Sequence, residues 1–280
     1  GLKGLLRLAG DLRRRRFDLA VLLQNAFEAA LLAWLARIPS RLGFTTDARS
    51  LLLTHRMRGW PALKKGHLVD YYLGLLAEAG LETRGRGLEL FLTDRERAAA
   101  SASLKGLGIP GTAPVVGINP GATFGTAKRW PADRFAALSR RLIQENGARV
   151  LVFGGPGEVA LGEQVAQQAG TGCHNLCDRT SLRQAMGLIG RCDAFVTNDS
   201  GLMHVAAALD IPQVAIIGPT DPVATGPVNS GSRLVQGDLT CERAPCLLPH
   251  CPTDHRCMLG IGVDPVYAAV ADLLQNGGGR

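Results

Sequence analysis

The chain has 280 residues, 46% of them hydrophobic and 20% charged, which excludes a disordered chain and leaves room for two α/β lobes. Its net charge of +7 is unevenly placed: residues 1–100 carry 17 Lys and Arg against 10 Asp and Glu, while residues 101–280 carry 14 of each. A basic first third beside a neutral remainder suits a polyanion or an anionic membrane surface, although a solvated basic face would give the same count.

In chain order, Leu2, Leu5, Leu6, Ala9 and Leu12 recur at helical spacing and predict an amphipathic helix over residues 2–15. Arg7 and Asp11 interrupt its apolar run, which is therefore not a secretory signal. Leu19 to Leu23 reads as a strand and Ala26 to Ala36 as a helix stopped by Pro39. The run Ala29 to Ala36 is the longest apolar one, far below the roughly 18 residues that a membrane span needs. A soluble, cytoplasmic protein is the expectation. Arg41–Phe44 follows as a strand, residues 68–79 as a helix closed by Gly80, and Asp94 to about Leu104 as a helix capped by Asp94. Gly106, Gly108, Pro110, Gly111 and Pro114 then crowd together, so the lobe boundary is expected between residues 109 and 110.

Beyond that point strands and helices alternate. Val115–Asn119, Arg149–Phe153, Asp193–Thr197 and Gln213–Ile217 read as strands; helices are expected from Pro131 to about Gln144, up to Ala169, over Ser181–Gly190 and up to Leu209. Nearly all-apolar strands between helices predict a parallel sheet covered on both faces, with ligands beyond the carboxyl ends of its strands. The last helix could return to the first lobe.

Two strand-to-helix turns carry chemistry. The first, Asn119-Pro120-Gly121-Ala122-Thr123-Phe124-Gly125-Thr126-Ala127-Lys128-Arg129-Trp130-Pro131, offers close backbone approach at Gly121 and Gly125, hydroxyls at Thr123 and Thr126, and a cation at Lys128. That set suits a phosphate or diphosphate, but it is not a Walker A loop, and no GxGxxG follows a strand in this lobe. The second, Thr197-Asn198-Asp199-Ser200-Gly201-Leu202-Met203-His204, opens a helix that Asp199 or Ser200 would cap, with Gly201 leaving the first amides uncovered and His204 one turn on. A helix terminus attracts an anion by only up to about 2 kcal/mol, so it needs Lys128 and aimed N–H donors beside it.

Together these segments resemble the signature segments of glycosyltransferase family 9, the ADP-heptose:lipopolysaccharide heptosyltransferases, and in particular its heptosyltransferase II branch. The resemblance implies a GT-B fold of two Rossmann-like lobes with parallel sheets, the first lobe incomplete here: residues 1–109 as a partial acceptor-side lobe and 110–280 as the donor-binding lobe. It implies transfer of L-glycero-D-manno-heptose from ADP-heptose to the heptosyl-Kdo2-lipid A inner core of lipopolysaccharide. The mechanism implied is an inverting single displacement without cofactor or essential metal, by a protein that is cytoplasmic or peripheral at the cytosolic face of the inner membrane and binds no nucleic acid. Lys128 and Asp199 take catalytic roles; Thr123, Thr126, Lys128, Glu158, Asp199, Ser200, Gly201 and His204 hold the donor. The family's base is an aspartate in a Gly-Asp pair after the first strand. Gly10-Asp11 follows no strand, so that base is expected in a segment upstream of Gly1, and the 280-residue form is expected to bind donor with little transfer.

Four of the seven cysteines cluster as Cys241, Cys246, Cys251 and Cys257, with His250 and His255 among them. Structural zinc is one expectation for this C-x4-C-x4-C-x5-C spacing, free or redox-active thiols the other. Cys173, Cys177 and Cys192 read as buried small residues. The alternatives are another GT-B enzyme of a different nucleotide-sugar and, outside enzymes, a nucleic-acid module built on Arg13–Arg16 together with the cysteine cluster. Aromatic residues at 5% leave that module few stacking platforms.

Overall fold

The computed structural model describes residues 1–238 and 240–276, and these divide into two compact units, Gly1–Arg86 and Gly87–Arg280. The first unit runs α1 (Leu2–Arg15), β1 (Leu19–Leu22), α2 (Phe27–Leu35), β2 (Ser40–Phe44), β3 (His55–Met57), α3 (Trp60–Leu63) and α4 (Leu68–Glu78). Its strands form a parallel sheet in the order β1-β2-β3. Asp11 lies on α1, half-buried and paired with Arg14, and so precedes the first strand, as the sequence predicts.

The second unit runs α5 (Asp94–Gly106), β4 (Val115–Asn119), α6 (Ala132–Asn146), β5 (Arg149–Val152), α7 (Val159–Ala169), β6 (Cys173–Asn175), α8 (Leu182–Ile189), β7 (Ala194–Asn198), α9 (Gly201–Ala208), β8 (Gln213–Ile217), α10 (Pro222–Thr225), β9 (Ser232–Gln236), α11 (Arg256–Leu259) and α12 (Val263–Asn276). Among the described residues its sheet has six strands in the order β6-β5-β4-β7-β8-β9, all parallel. Successive side chains along the central strands enter opposite cores, as the period of two demands. Val116, Ile118, Val150, Val152 and Val196 pack under α6 and α12, while Val115, Leu151 and Phe195 pack under α5 and α8. No described helix is long and apolar enough to cross a membrane.

The structure corrects three expectations. The division falls at residues 86 and 87 rather than 109 and 110, because α5 belongs to the second unit. Its Ala100 and Leu104 share a core with Ala185, Leu188 and Ile189 of α8, and Arg183 clasps Glu96 with two bonds of 2.6 Å. The glycine and proline cluster merely turns the chain from α5 into β4. The cap of α5 is Thr93, not Asp94, in a reciprocal capping box with Glu96. Finally, α12 stays with the second unit, burying Val266, Val270 and Leu273 in the core beneath β7 and β8.

Candidate functional site

The order of the second sheet reverses direction at β4: β5 and β6 lie on one side of it, β7 and β8 on the other. In an open parallel sheet the crevice beyond the carboxyl ends at such a switch is where a ligand fits. A cavity of about 450 Å³ lies there. Asn119, Gly121, Thr123, Glu158, Ser200 and Gly201 line its polar part, and Phe153, Leu182 and Val205 supply apolar wall.

Two buried asparagines at the strand ends hold the turns. Asn119 donates Nδ2–H to the Phe153 carbonyl at 2.9 Å and accepts from the Ser200 hydroxyl at 2.6 Å, tying β4 to the turns after β5 and β7. Asn198 donates to the carbonyls of Pro120 and Gly121 at 2.9 and 3.2 Å and accepts from the Trp130 N–H at 3.1 Å, clamping both ends of the first turn. Neither asparagine was singled out from sequence. Their position as the last residue of an apolar strand was the available signal, because a buried amide there must spend its donors on neighbouring turns.

The expected joining of the two turns is present. Lys128 Nζ donates to Asp199 Oδ2 at 2.7 Å, with side chains 18% and 7% exposed. An ammonium has three N–H donors, and this contact engages one of them. Ser200 is the first residue of the α9 cap but does not cap with its side chain, since its hydroxyl goes to Asn119. Asp199 pairs with Lys128 instead of capping, so no side chain covers the first amides of α9.

Glu158 sits where two glycine turns meet. Its Oε2 accepts from the Gly155 N–H at 2.9 Å, and a Cβ on Gly121 would lie 1.7 Å from its Oε1, so this approach requires glycine. Among the described residues, the Glu158 carboxylate is the one formal charge in the cavity lining. Arg129 Nη2 stands 4.0 Å from Glu158 Oε1 and donates to the Ala122 carbonyl at 3.2 Å, while its buried Nε has no hydrogen-bond partner among the described residues. This second cation beside the site was not picked out from sequence.

Other expected residues lie elsewhere. Thr126 is not in the cavity wall; its hydroxyl faces His250 Nδ1 at 3.0 Å. His204, half-buried on α9, is outside that wall too, and so are Lys128 and Asp199, which pair next to it. Among the described residues no three His, Cys, Asp or Glu side chains stand together as metal ligands. All seven thiols are free, and Cys257 is buried in the main core while Cys241, Cys246 and Cys251 are half-buried.

The model of glycosyltransferase family 9 (heptosyltransferase) matches residues 5–255. The chain belongs to this family. Lipopolysaccharide heptosyltransferase 2 of Salmonella typhimurium is 36% identical over 247 residues, covering 82% of this chain and 68% of that protein. The structure of Escherichia coli ADP-heptose LPS heptosyltransferase II matches with a TM-score of 0.79 at 30% identity, over 98% of this chain and 82% of that one. A family 9 glycosyltransferase structure from Veillonella parvula matches with a TM-score of 0.81 at 24% identity, over 98% and 79%, a likeness of fold. This family 9 chain thus has the expected α/β architecture of GT-B type with parallel sheets. Its glycine turns, uncovered amides and Lys128–Asp199 pair lie at the switch point of the second sheet.

Proposed function

We propose that this chain transfers L-glycero-D-manno-heptose from ADP-heptose to the heptosyl-Kdo2-lipid A inner core of lipopolysaccharide, with inversion in a single displacement. The observation that carries the reading is the contact of Lys128 with Asp199 at the mouth of α9, next in the chain to the Ser200 and Gly201 that line the cavity with Thr123. The names and identities of the relatives from Salmonella and Escherichia coli support the donor and acceptor class.

In this reading the donor diphosphate lies against the amides of Ser200 and Gly201, with the Thr123 hydroxyl and the two remaining Lys128 N–H donors beside it. As the sugar–phosphate bond breaks, negative charge grows on the leaving ADP. Fixed donors aimed at that charge stabilise the transition state more than the ground state. Asp199 keeps the ammonium in place, and Glu158, held by Gly155, faces the sugar. His204 supports the same helix from the sugar side. The acceptor, phosphorylated lipid A with its inner core, is anionic, and the first unit carries 15 Lys and Arg against 7 Asp and Glu over residues 1–86. That pairing of charge supports work at the cytosolic face of the inner membrane.

Calorimetric titration with ADP-heptose and with UDP-sugars, followed by a transfer assay on heptosyl-Kdo2-lipid A, tests the reading. Selective binding of ADP-heptose is expected. Preference for a UDP-sugar would move the chain to a different nucleotide-sugar reaction.

A further inference from the structure

We propose that Pro249–His255, within the cysteine-rich stretch, is a strap that positions Lys128, with His255 as its principal positioning residue. The inference rests on the reading that Lys128 meets the donor diphosphate.

Asn198 fixes the two ends of the first turn, at Pro120, Gly121 and Trp130, but it does not reach the middle, where Lys128 sits. There the backbone of Ala127, 2% exposed, is bonded on both sides by the strap: its N–H donates to the Pro249 carbonyl at 3.1 Å, and its carbonyl lies 2.7 Å from His255 Nε2. A buried peptide group needs both partners, and here neither comes from the turn itself. One residue earlier, the Thr126 hydroxyl is 3.0 Å from His250 Nδ1. At Gly125 the backbone takes φ 148°, and a Cβ would stand 2.0 Å from the Pro249 carbonyl oxygen. Close approach of two backbones, rather than flexibility, is what this glycine provides.

The chain is fastened just before the strap and at its far end. The Cys246 N–H donates to the Pro219 carbonyl at 2.6 Å, just past β8, and His255 leads directly into α11, whose Cys257 and Met258 are buried in the main core. The segment therefore runs from one sheet-end turn across the lysine turn and into the core. Lys128, the residue after Ala127, inherits its backbone position from these contacts, and its ammonium reaches Asp199 from there. The cysteines then need no ligand to account for their segment.

The test is calorimetric titration of ADP and of adenosine with the full chain, its thermal midpoint recorded for every variant. His255→Ala is expected to weaken ADP by about tenfold, the scale of one lost hydrogen bond to a buried partner, and to leave adenosine unchanged. His255→Gln, which keeps an N–H donor, should recover most of the loss. In a Lys128→Ala background, His255→Ala should change ADP affinity less than about twofold, because residues acting through one group do not add. His250→Ala, at an exposed contact, gives a milder version should His255→Ala fold poorly. An equal loss of ADP and adenosine, or full additivity with Lys128→Ala, would overturn the strap, as would no loss in His255→Ala where Lys128→Ala does weaken ADP. No loss in Lys128→Ala itself would overturn the diphosphate reading and the strap with it.

Discussion

Lys128 Nζ lies 2.7 Å from Asp199 Oδ2 although the two residues stand 71 positions apart in the chain. They come from turns that follow neighbouring parallel strands, β4 and β7, so sheet pairing and the two asparagine clamps bring them together. The pair has a structural and a chemical role, and two variants separate them. Lys128→Ala should lower turnover about a hundredfold to a thousandfold, the usual effect of removing one stabiliser of developing charge. It should also lower the thermal midpoint, since the nearly buried Asp199 carboxylate loses its partner. Adding Asp199→Asn should restore the midpoint and leave turnover low. Recovery of turnover in the double variant would remove Lys128 from the chemistry.

Arg129 stands beside Lys128 in sequence but does a different job. Its guanidinium contacts the Ala122 carbonyl and approaches Glu158, the charged group of the cavity wall. Arg129→Met should leave the affinity for ADP unchanged and raise KM for ADP-heptose about threefold to fivefold, the scale of a partly exposed ion pair. Steady-state kinetics with ADP as competitive inhibitor provides both numbers. A larger loss for ADP than for the sugar nucleotide would place Arg129 on the phosphates instead.

The central strands of the second unit were legible because each is an apolar run between turn residues. Val115–Asn119 and Gln213–Ile217 have the ends expected of them. Strands β3 and β6, of three residues each, and the polar β9 carry no such signal. Ser232–Gln236 at the sheet edge has no buried position, so no core pattern marks it. Arg49 illustrates the same limit in the first unit: it is fully buried, bonded to the carbonyls of Phe44 and Gln24 and to Asn25 Oδ1. Backbone carbonyls leave no trace in composition, so such a site is unreadable from residue types. The candidate site divides likewise. Thr123, Lys128, Glu158, Ser200 and Gly201 follow from glycine turns at strand ends, whereas the contact of Thr126 with His250 joins residues 124 positions apart and follows from no local pattern.

The clasp between α5 and α8 has a pH signature. Hydrogen bonds from Arg183, and then from the Thr93 backbone and hydroxyl, pull the Glu96 carboxyl from its ordinary 4.5 down to about 2. The folded value is the depressed one, so this contribution is complete above the unfolded value and is lost as pH falls from about 4.5 through about 2. Glu96→Gln should flatten the fall of the thermal midpoint across that window and leave the midpoint less affected at its acid end than at neutral pH. Parallel pH profiles for the two proteins would show that α5 is not held by Glu96.

The seven thiols fall into two groups by environment, and their reactivity should follow. Burial raises Cys173 to about 12 and Cys177 to about 11, and raises Cys192 further still. These three stay protonated at any working pH, and the thiol is a poor nucleophile. Cys251 is the opposite case: the hydrogen bond from the Thr253 hydroxyl, 3.4 Å away, lowers it, and the residue is only half-buried. Cys257 is raised by burial first, then by the neighbouring thiols Cys251, Cys246 and Cys241. Alkylation at pH 8 with peptide mapping by mass spectrometry should therefore label Cys251 first and Cys173, Cys177 and Cys192 only on unfolding. Because Cys251 lies between His250 and His255, its modification should also weaken ADP while sparing adenosine. Early labelling of Cys192 in folded protein would contradict the packing of α8 against β4 and β7 that buries it.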